Sequence, residues 1–370
     1  GLTTAYYLTK KGYKVLVIEK GEIGHGTTGF TTAKITSQHG LIYHYLSKKY
    51  GIKFAKKYFE INEEAINNIE QIIRENNISC DFERKDSYIY TSNEEEKEKI
   101  LEEAEALKYI NLESELVEKT DLPFRTLCGV KFKNQAQFNP LKYIEGLVEY
   151  ILKHGGRIYT NTLCTDIKRE NEEYVVYANS KKVYSKYVML ACGYPFLKVP
   201  GFYFAKMYQA SSYVIGIETK SKLPEGMYIN VEYPTYSIRT TKLNDGKDIV
   251  LLGGAGHKTG EKVNEEQTYG ILEKKAKEMY PDCKILYKWS TRDAVTLDKI
   301  AYIGEYSSLL PNMYIATGFN KWGMTTSNVA ANIITEKITN NGGMYDEIFK
   351  STRMEPITNK GEMKNMIVDA

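Results

Sequence analysis

The chain has no apolar run approaching the ~18 residues of a membrane-spanning helix, so no helical span is expected. An excess of one charge is also lacking. Fifty Lys+Arg against 47 Asp+Glu leave a net +3, too balanced to argue for a nucleic-acid or membrane-surface partner. Cysteine is sparse: Cys80, Cys128, Cys164, Cys192 and Cys283 form no C-x-x-C, and none stands beside a histidine at ligand spacing. That argues against zinc or iron–sulfur ligation by this chain, and no metal site is expected. Five scattered thiols fit a reducing cytoplasm. Neither a Ser–His–Asp set nor paired catalytic carboxylates can be found, and there is no internal repeat and no initiator Met.

What is present begins at the first residue. Gly1 is followed by LTTAYYLTKKGYKVLVIEK, in which Leu2, Ala5, Tyr6, Leu8 and Thr9 share one helical face. Gly12 takes the position after the helix end, and Tyr13–Ile18 is a buried strand ending on Glu19. This is the second half of a βαβ dinucleotide unit, with Glu19 placed to accept from ribose hydroxyls and Lys20 beside it. Gly1 is then the third glycine of G-x-G-x-x-G, the first strand and two glycines being absent.

The α/β alternation of an NAD domain breaks after Glu19. A loop rich in Gly and Thr, KGEIGHGTTGFTTAKITSQHGLIY, leads instead to long polar helices over 52–76 and 93–109, with a strand pair at about 80–91 between them. From Val130 come a strand, an Asn–Pro helix start, a helix ending at Gly155–Gly156, and further strands closing with YVMLACG. Residues 201–297 alternate in period two, with turn pairs and one helix at 265–280. The end returns to strand–turn–helix. The expected architecture is α/β plus β: a discontinuous Rossmann-like domain (1–50, 126–200, 298–345) and an antiparallel-sheet substrate domain (51–125, 201–297). Residues 346–370 read as a tail or linker.

Several segments carry chemistry. Thr27 and Thr28 offer hydroxyls and a bulk-free backbone to a pyrophosphate. The turn Gly318–Trp322, with Lys321 in it, opens a helix at Gly323. Free N–H groups of Gly323, Met324 and Thr325 would face the negative N1/O2 end of a reduced flavin. Ala191–Gly193 lets the chain pass close to a nucleotide, and Leu163–Cys164 could bond adenine through the backbone.

The pieces VIEKGEIGHGTTG, LACGYPF, TRDAVTLDKIAYIG and YIATGFNKWGMTTSNVAANIITEKI, in this order, resemble the D-amino-acid oxidase/glycine oxidase class of FAD-dependent oxidoreductases. The stretch TTGFTTAKITSQHGLIY is closer to a branch with a C-terminal Rieske iron–sulfur domain. The resemblance implies FAD facing a substrate-domain sheet, and an amine or amino acid whose C–H delivers hydride to flavin N5. Matched by motif, Arg292 clamps a substrate carboxylate, with Arg239 and Tyr236 facing the same cavity. Ala33, Lys34, Ile35 and His39 line the flavin, and His25 is not expected to bond it covalently. A Rieske domain, where present, is the electron partner. A polypeptide that truly began at Gly1 is expected to hold FAD weakly.

Two other readings use the same residues. An NAD-dependent dehydrogenase shares the opening unit but not the broken alternation. A flavin-binding electron relay without its own substrate is kept open by Arg292–Asp293, where the resembling family has Arg–Pro.

Overall fold

The structure, a computed structural model, describes residues 1–339 and 347–354. Seven helices run through them: α1 (Leu2–Lys10), α2 (Ile42–Tyr50), α3 (Ile52–Glu75), α4 (Lys97–Tyr109), α5 (Pro140–Lys153), α6 (Glu265–Met279) and α7 (Gly323–Thr339). Local chemistry sets their ends. Asn139 accepts from the N–H groups of Leu141 and Lys142 ahead of Pro140 in the first turn of α5, and Asn264 caps α6 in the same way. The helix α1 ends at Gly12, whose φ of +81° lets Tyr13 N bond back to Leu8 O at 3.0 Å. No helix among the described residues is long and apolar enough to cross a membrane.

Two architectures meet. The nucleotide-type part holds two short parallel pairings, Leu16–Ile18 with Arg157–Tyr159 and Val188–Leu190 with Met313–Thr317, the latter extended by antiparallel Tyr302–Glu305. Helices α1, α3 and α5 bury Ala5, Tyr6, Ile66, Ile69, Tyr143 and Leu147 in a common core. The second part is a nine-stranded, largely antiparallel sheet. Its order runs Lys284–Thr296, Met207–Glu218, Asp248–Lys258, Tyr236–Lys242, Met227–Asn230, Glu83–Thr91, Cys128–Gln137, Lys34–Ile35, with Glu115–Val117 also on Cys128–Gln137. One face is covered by α6, which buries Leu272, Ala276 and Met279 against Tyr213, Ile215 and Leu252.

Three features depart from the sequence reading. The strand pair expected at 80–91 is one strand, Glu83–Thr91, bulged between Lys85 and Ser87, because its partner is the distant Cys128–Gln137. Both Cys128–Gln137 and Lys34–Ile35 belong to the large sheet, not to the nucleotide-type part. Within the expected tail, residues 347–354 are packed: Ile348 and Phe349 are buried, and Ile303 N donates to Phe349 O at 2.9 Å. The rest of that segment lies outside the described residues.

A buried carboxylate organises the helical layer. Glu103 of α4 accepts from Tyr43 N at 2.9 Å and His44 N at 2.7 Å, satisfying first-turn donors of α2. Burial raises its carboxyl to about 7, the α2 backbone opposing. A raised carboxyl binds its proton more tightly in the folded chain. Its contribution is therefore full below the unfolded value near 4.5 and is lost as pH rises through 7. Glu103→Ala is expected to destabilise by about 2 kcal/mol, since it strands buried donors. Urea denaturation should show a larger deficit at pH 5 than at pH 8.

Candidate active-site cleft

The candidate site lies where the nucleotide-type part meets the face of the large sheet opposite α6, a face whose Glu83–Thr91 and Cys128–Gln137 end packs against α2, α3 and α4. At one end, Gly1 meets the strand that closes at Leu190: a Cβ on Gly1 would stand 3.1 Å from Ala191 Cβ. Glu19 accepts from Gly21 N through Oε1 at 3.0 Å, and Thr162 N donates to Glu19 O at 2.9 Å, drawing 160–164 alongside. Leu163 N is held by Asn179 Oδ1 at 3.0 Å while the Leu163 side chain is exposed. Burial raises the Cys192 thiol, which also feels Glu19 and Lys20; burial raises Cys164, which feels Cys192. Gly1, Glu19, Lys20, Leu163, Cys164, Ala191 and Gly193 are thus neighbours, drawn from four separate stretches of chain.

Gly193 joins this end to the next. Its carbonyl accepts from Thr317 Oγ1 at 2.6 Å, and the chain then turns through Gly318 at φ +69°. Asn320 and Lys321 follow in the left-handed region, at φ +52° and +70°, before Trp322 and α7. Two successive non-glycine residues in that region store strain, a feature that clusters at functional turns. The first hydrogen bond of α7 runs from Thr326 N to Trp322 O at 3.1 Å. The N–H groups of Gly323, Met324 and Thr325 precede it and carry the positive end of the helix dipole. Thr325 Oγ1 pins this terminus to Thr36 by accepting from its N–H and donating to its carbonyl, each at 3.0 Å. Trp322 stacks on buried His39 at 4.9 Å. Burial pushes the His39 imidazole down to about 3, the Thr36 backbone opposing. It is neutral, hydrogen-bonded to Tyr58 through Nδ1 at 2.7 Å, and its Nε2 has no partner.

The loop from Thr27 crosses to the sheet. Thr27 Oγ1 donates to Arg292 O at 2.6 Å and Trp289 Nε1 donates to Phe30 O at 2.8 Å. Thr28 is half-buried and His25 exposed. Ala33, at φ +52°, brings Lys34–Ile35 into pairing with Gln137 and Ala136. Lys34 is buried. Its Nζ donates to Tyr228 O at 3.2 Å and to Ser237 Oγ, near Arg239. Burial, reinforced by Arg239, holds the Lys34 ammonium well below the ordinary lysine value. Burial likewise lowers Arg239 to about 10, with Glu83 opposing.

Strand alternation sorts the expected substrate-contacting residues. Ser237 and Arg239 share the inner face with Lys34, whereas Tyr236 lies on the other side against α6, under Lys275 at 5.5 Å. Arg292 is also on that outer side. It pairs with Ser211, and its charge acts on Tyr213, which packs against Tyr269 of α6 at 5.1 Å. A carboxylate clamp by Arg292 is therefore corrected, as is the inward position of Tyr236. The inward residues are Trp289, Thr291 and Asp293, facing Ser212 and Lys321, whose Nζ donates to Ser212 Oγ at 3.0 Å. The sequence reading overlooked these. Counting in twos from Trp289 along Lys284–Thr296 finds them.

The cleft walls desolvate their charges while leaving them accessible. Burial raises the Asp293 carboxyl, with Lys321 opposing, and lowers the Lys321 ammonium, with Asp293 opposing. Residues around the cleft fit a flavin dinucleotide: a strand-end carboxylate with Oε2 left over, unbulky Gly1 and Gly193, and three helix N–H groups. The floor includes Gly253, where a Cβ would make ordinary contact with Thr32, and Gly256, where one would crowd Ser211 O and Lys321 Nζ.

The sequence model of a family described as FAD dependent oxidoreductase (DAO) matches residues 1–337. A protein of Bacillus subtilis (strain 168) named as a Rieske 2Fe-2S iron-sulfur protein, YhfW, is 39% identical over 353 residues, covering 95% of this chain and 69% of the relative. Gamma-glutamylputrescine oxidoreductase of Escherichia coli (strain K12) is 24% identical over 94% of this chain and 83% of its own. Among solved structures, glycine oxidase from Geobacillus kaustophilus superposes with a TM-score of 0.77 at 15% identity, covering 96% of both chains.

Proposed function

We propose, for a chain that belongs to the DAO family of FAD dependent oxidoreductases, that it oxidises a small amine or amino acid at the carbon bearing nitrogen. The observation that carries this reading is the apposition of the α7 N-terminus to the inner face of the sheet, with Lys321 reaching Ser212 across the gap. Bound between them, FAD supplies a two-electron acceptor for a hydride from substrate. Glu19 and Lys20 would hold the ribose end and Thr27 and Thr28 the pyrophosphate, with Gly1, Ala191 and Gly193 giving close approach. Leu163 and Cys164 would lie by the adenine. Ala33, Lys34, Ile35, Gly318 and Trp322 would frame the ring system.

The chain's own groups do the rest by position and charge. Gly323, Met324 and Thr325 present N–H dipoles to the negative charge that develops on reduction, at no cost in reorganisation. Thr325–Thr36 keeps that terminus in place. The oxidised product is an imine that water hydrolyses. The Rieske name of one relative supports an iron–sulfur domain as electron partner, electrons leaving through it instead of through oxygen.

The test uses full-length protein. Flavin absorbance should be present or restorable with FAD. Anaerobic mixing with a panel of amines and amino acids should bleach it. Colour with no bleaching by any member would point to a relay that accepts electrons elsewhere. A colourless protein that FAD does not reconstitute would overturn the flavin reading itself.

A further inference from the structure

We propose that Asp293 is the specificity-determining residue of the substrate pocket, selecting a cationic amine by a charge-assisted hydrogen bond to its ammonium. This rests on the amine oxidation proposed above and names its substrate class more narrowly: a cation, with no α-carboxylate required.

Four observations converge on Asp293. Register puts it on the inner face, opposite Ala210, two residues from Thr291 and four from Trp289. Its carboxylate is partly buried and makes no hydrogen bond and no ion pair within 4.0 Å among the described residues, although the charge of Lys321 acts on it. Thr291 Oγ1, on the same face, is buried without a partner. Across the floor, Gly256 is a close-packed glycine: a Cβ there would stand 2.9 Å from Ser211 O, 3.2 Å from Lys321 Nζ and 3.4 Å from Ser212 Oγ, so only glycine keeps this approach to Lys321 and Ser212 clear. A partly buried carboxylate with no hydrogen bond of its own carries a desolvation cost, and a bound ammonium offsets it. Its N–H groups can bond Asp293 and Thr291 together, since ammonium is a donor only and both are acceptors. Arg292 points away, so the pocket offers no bidentate guanidinium to a carboxylate.

The experiment uses the flavin-loaded full-length protein and a probe that cannot be oxidised, tert-butylammonium, which has no hydrogen on the carbon bearing nitrogen. Its binding is followed by the change in flavin absorbance and by its competition with an oxidisable amine. Asp293→Asn is expected to weaken the probe and raise KM for amines by about 10- to 100-fold, about 1.4 to 2.7 kcal/mol, with kcat changed by less than about threefold. Asp293→Glu, which keeps the charge, should retain binding, so loss confined to Asn excludes simple misfolding. Amino acids should be poorer substrates than amines lacking the carboxylate. Unchanged probe affinity in Asp293→Asn, or a wild type that ignores the probe while oxidising amino acids, overturns the inference and leaves the oxidation standing. Probe binding that depends on Asp293, without bleaching by any amine or amino acid, supports the cation site and sinks the oxidation instead.

Discussion

Replacing Arg353 by alanine is expected to destabilise the protein by about 3–5 kcal/mol, the cost of stranding a buried charge. Arg353 donates to Asp298 through Nε at 2.6 Å and Nη2 at 2.9 Å, and Asp298 is 1% exposed. The remaining guanidinium protons reach Ala301 O at 2.9 Å, Lys350 O at 3.0 Å and Ile300 O, and its carbon lies 3.8 Å from the centre of the Tyr302 ring. Burial alone would lower this guanidinium, yet the bonds to Asp298 raise it. Removing Arg353 leaves Asp298 with its own carboxylate in the core. Lys206 is the nearby cation, and burial already holds it down to about 8, so it offers only partial relief. The double variant Asp298→Asn with Arg353→Met removes both charges and should recover most of the loss. Chemical denaturation of the two variants checks this. A double variant as unstable as Arg353→Ala would mean that packing of 347–354, and not the ion pair, carries the energy.

That clasp was illegible in the sequence, for a physical reason. Asp298 and Arg353 are 55 positions apart, and the run around Arg353 has neither helical nor strand periodicity to announce burial. Lys34 was hidden differently. A lysine is by default an exposed residue, and only the pairing of Lys34–Ile35 with Cys128–Gln137, beneath Met227–Asn230 and Tyr236–Lys242, encloses it. No local pattern reports packing among four separated strands.

What could be read was local chemistry with a fixed offset. Glu19 closing its strand, Asn139 capping α5 and Gly323 opening α7 each depend on a few neighbouring residues, and the structure places them where those residues predict. The substrate-facing side of the sheet sits between these extremes. Period two along Lys284–Thr296 was visible, but matching Arg292 by motif ignored the face on which Trp289 must lie. A shift of one residue exchanges a guanidinium for a carboxylate, and with it the sign of the charge carried on the inner face.

Gly318→Ala should have the largest effect on cofactor retention. At φ +69° alanine incurs the left-handed penalty, and its Cβ would stand 2.3 Å from Thr296 Cγ2, well inside van der Waals separation. Thr296 cannot simply withdraw. Its N–H at 2.8 Å and Oγ1 at 3.1 Å both donate to Asn320 Oδ1, and Asn320 N in turn donates to Ala294 O at 3.1 Å. Pushing Thr296 aside therefore displaces Asn320, then Lys321 and Trp322, and tilts the N–H groups that open α7. A destabilisation of about 2–4 kcal/mol is expected. FAD affinity should fall about tenfold for every ~1.4 kcal/mol of binding energy that the tilted N–H groups no longer supply. Adding Thr296→Ser removes the clashing methyl and keeps the hydroxyl on Asn320. The double variant should regain most of the FAD affinity while still carrying the strain at position 318. Flavin titration of both proteins separates the two causes. Equal weakness with and without the Thr296 methyl would assign the defect to backbone strain alone, and wild-type affinity in Gly318→Ala would mean that this turn does not hold the ring.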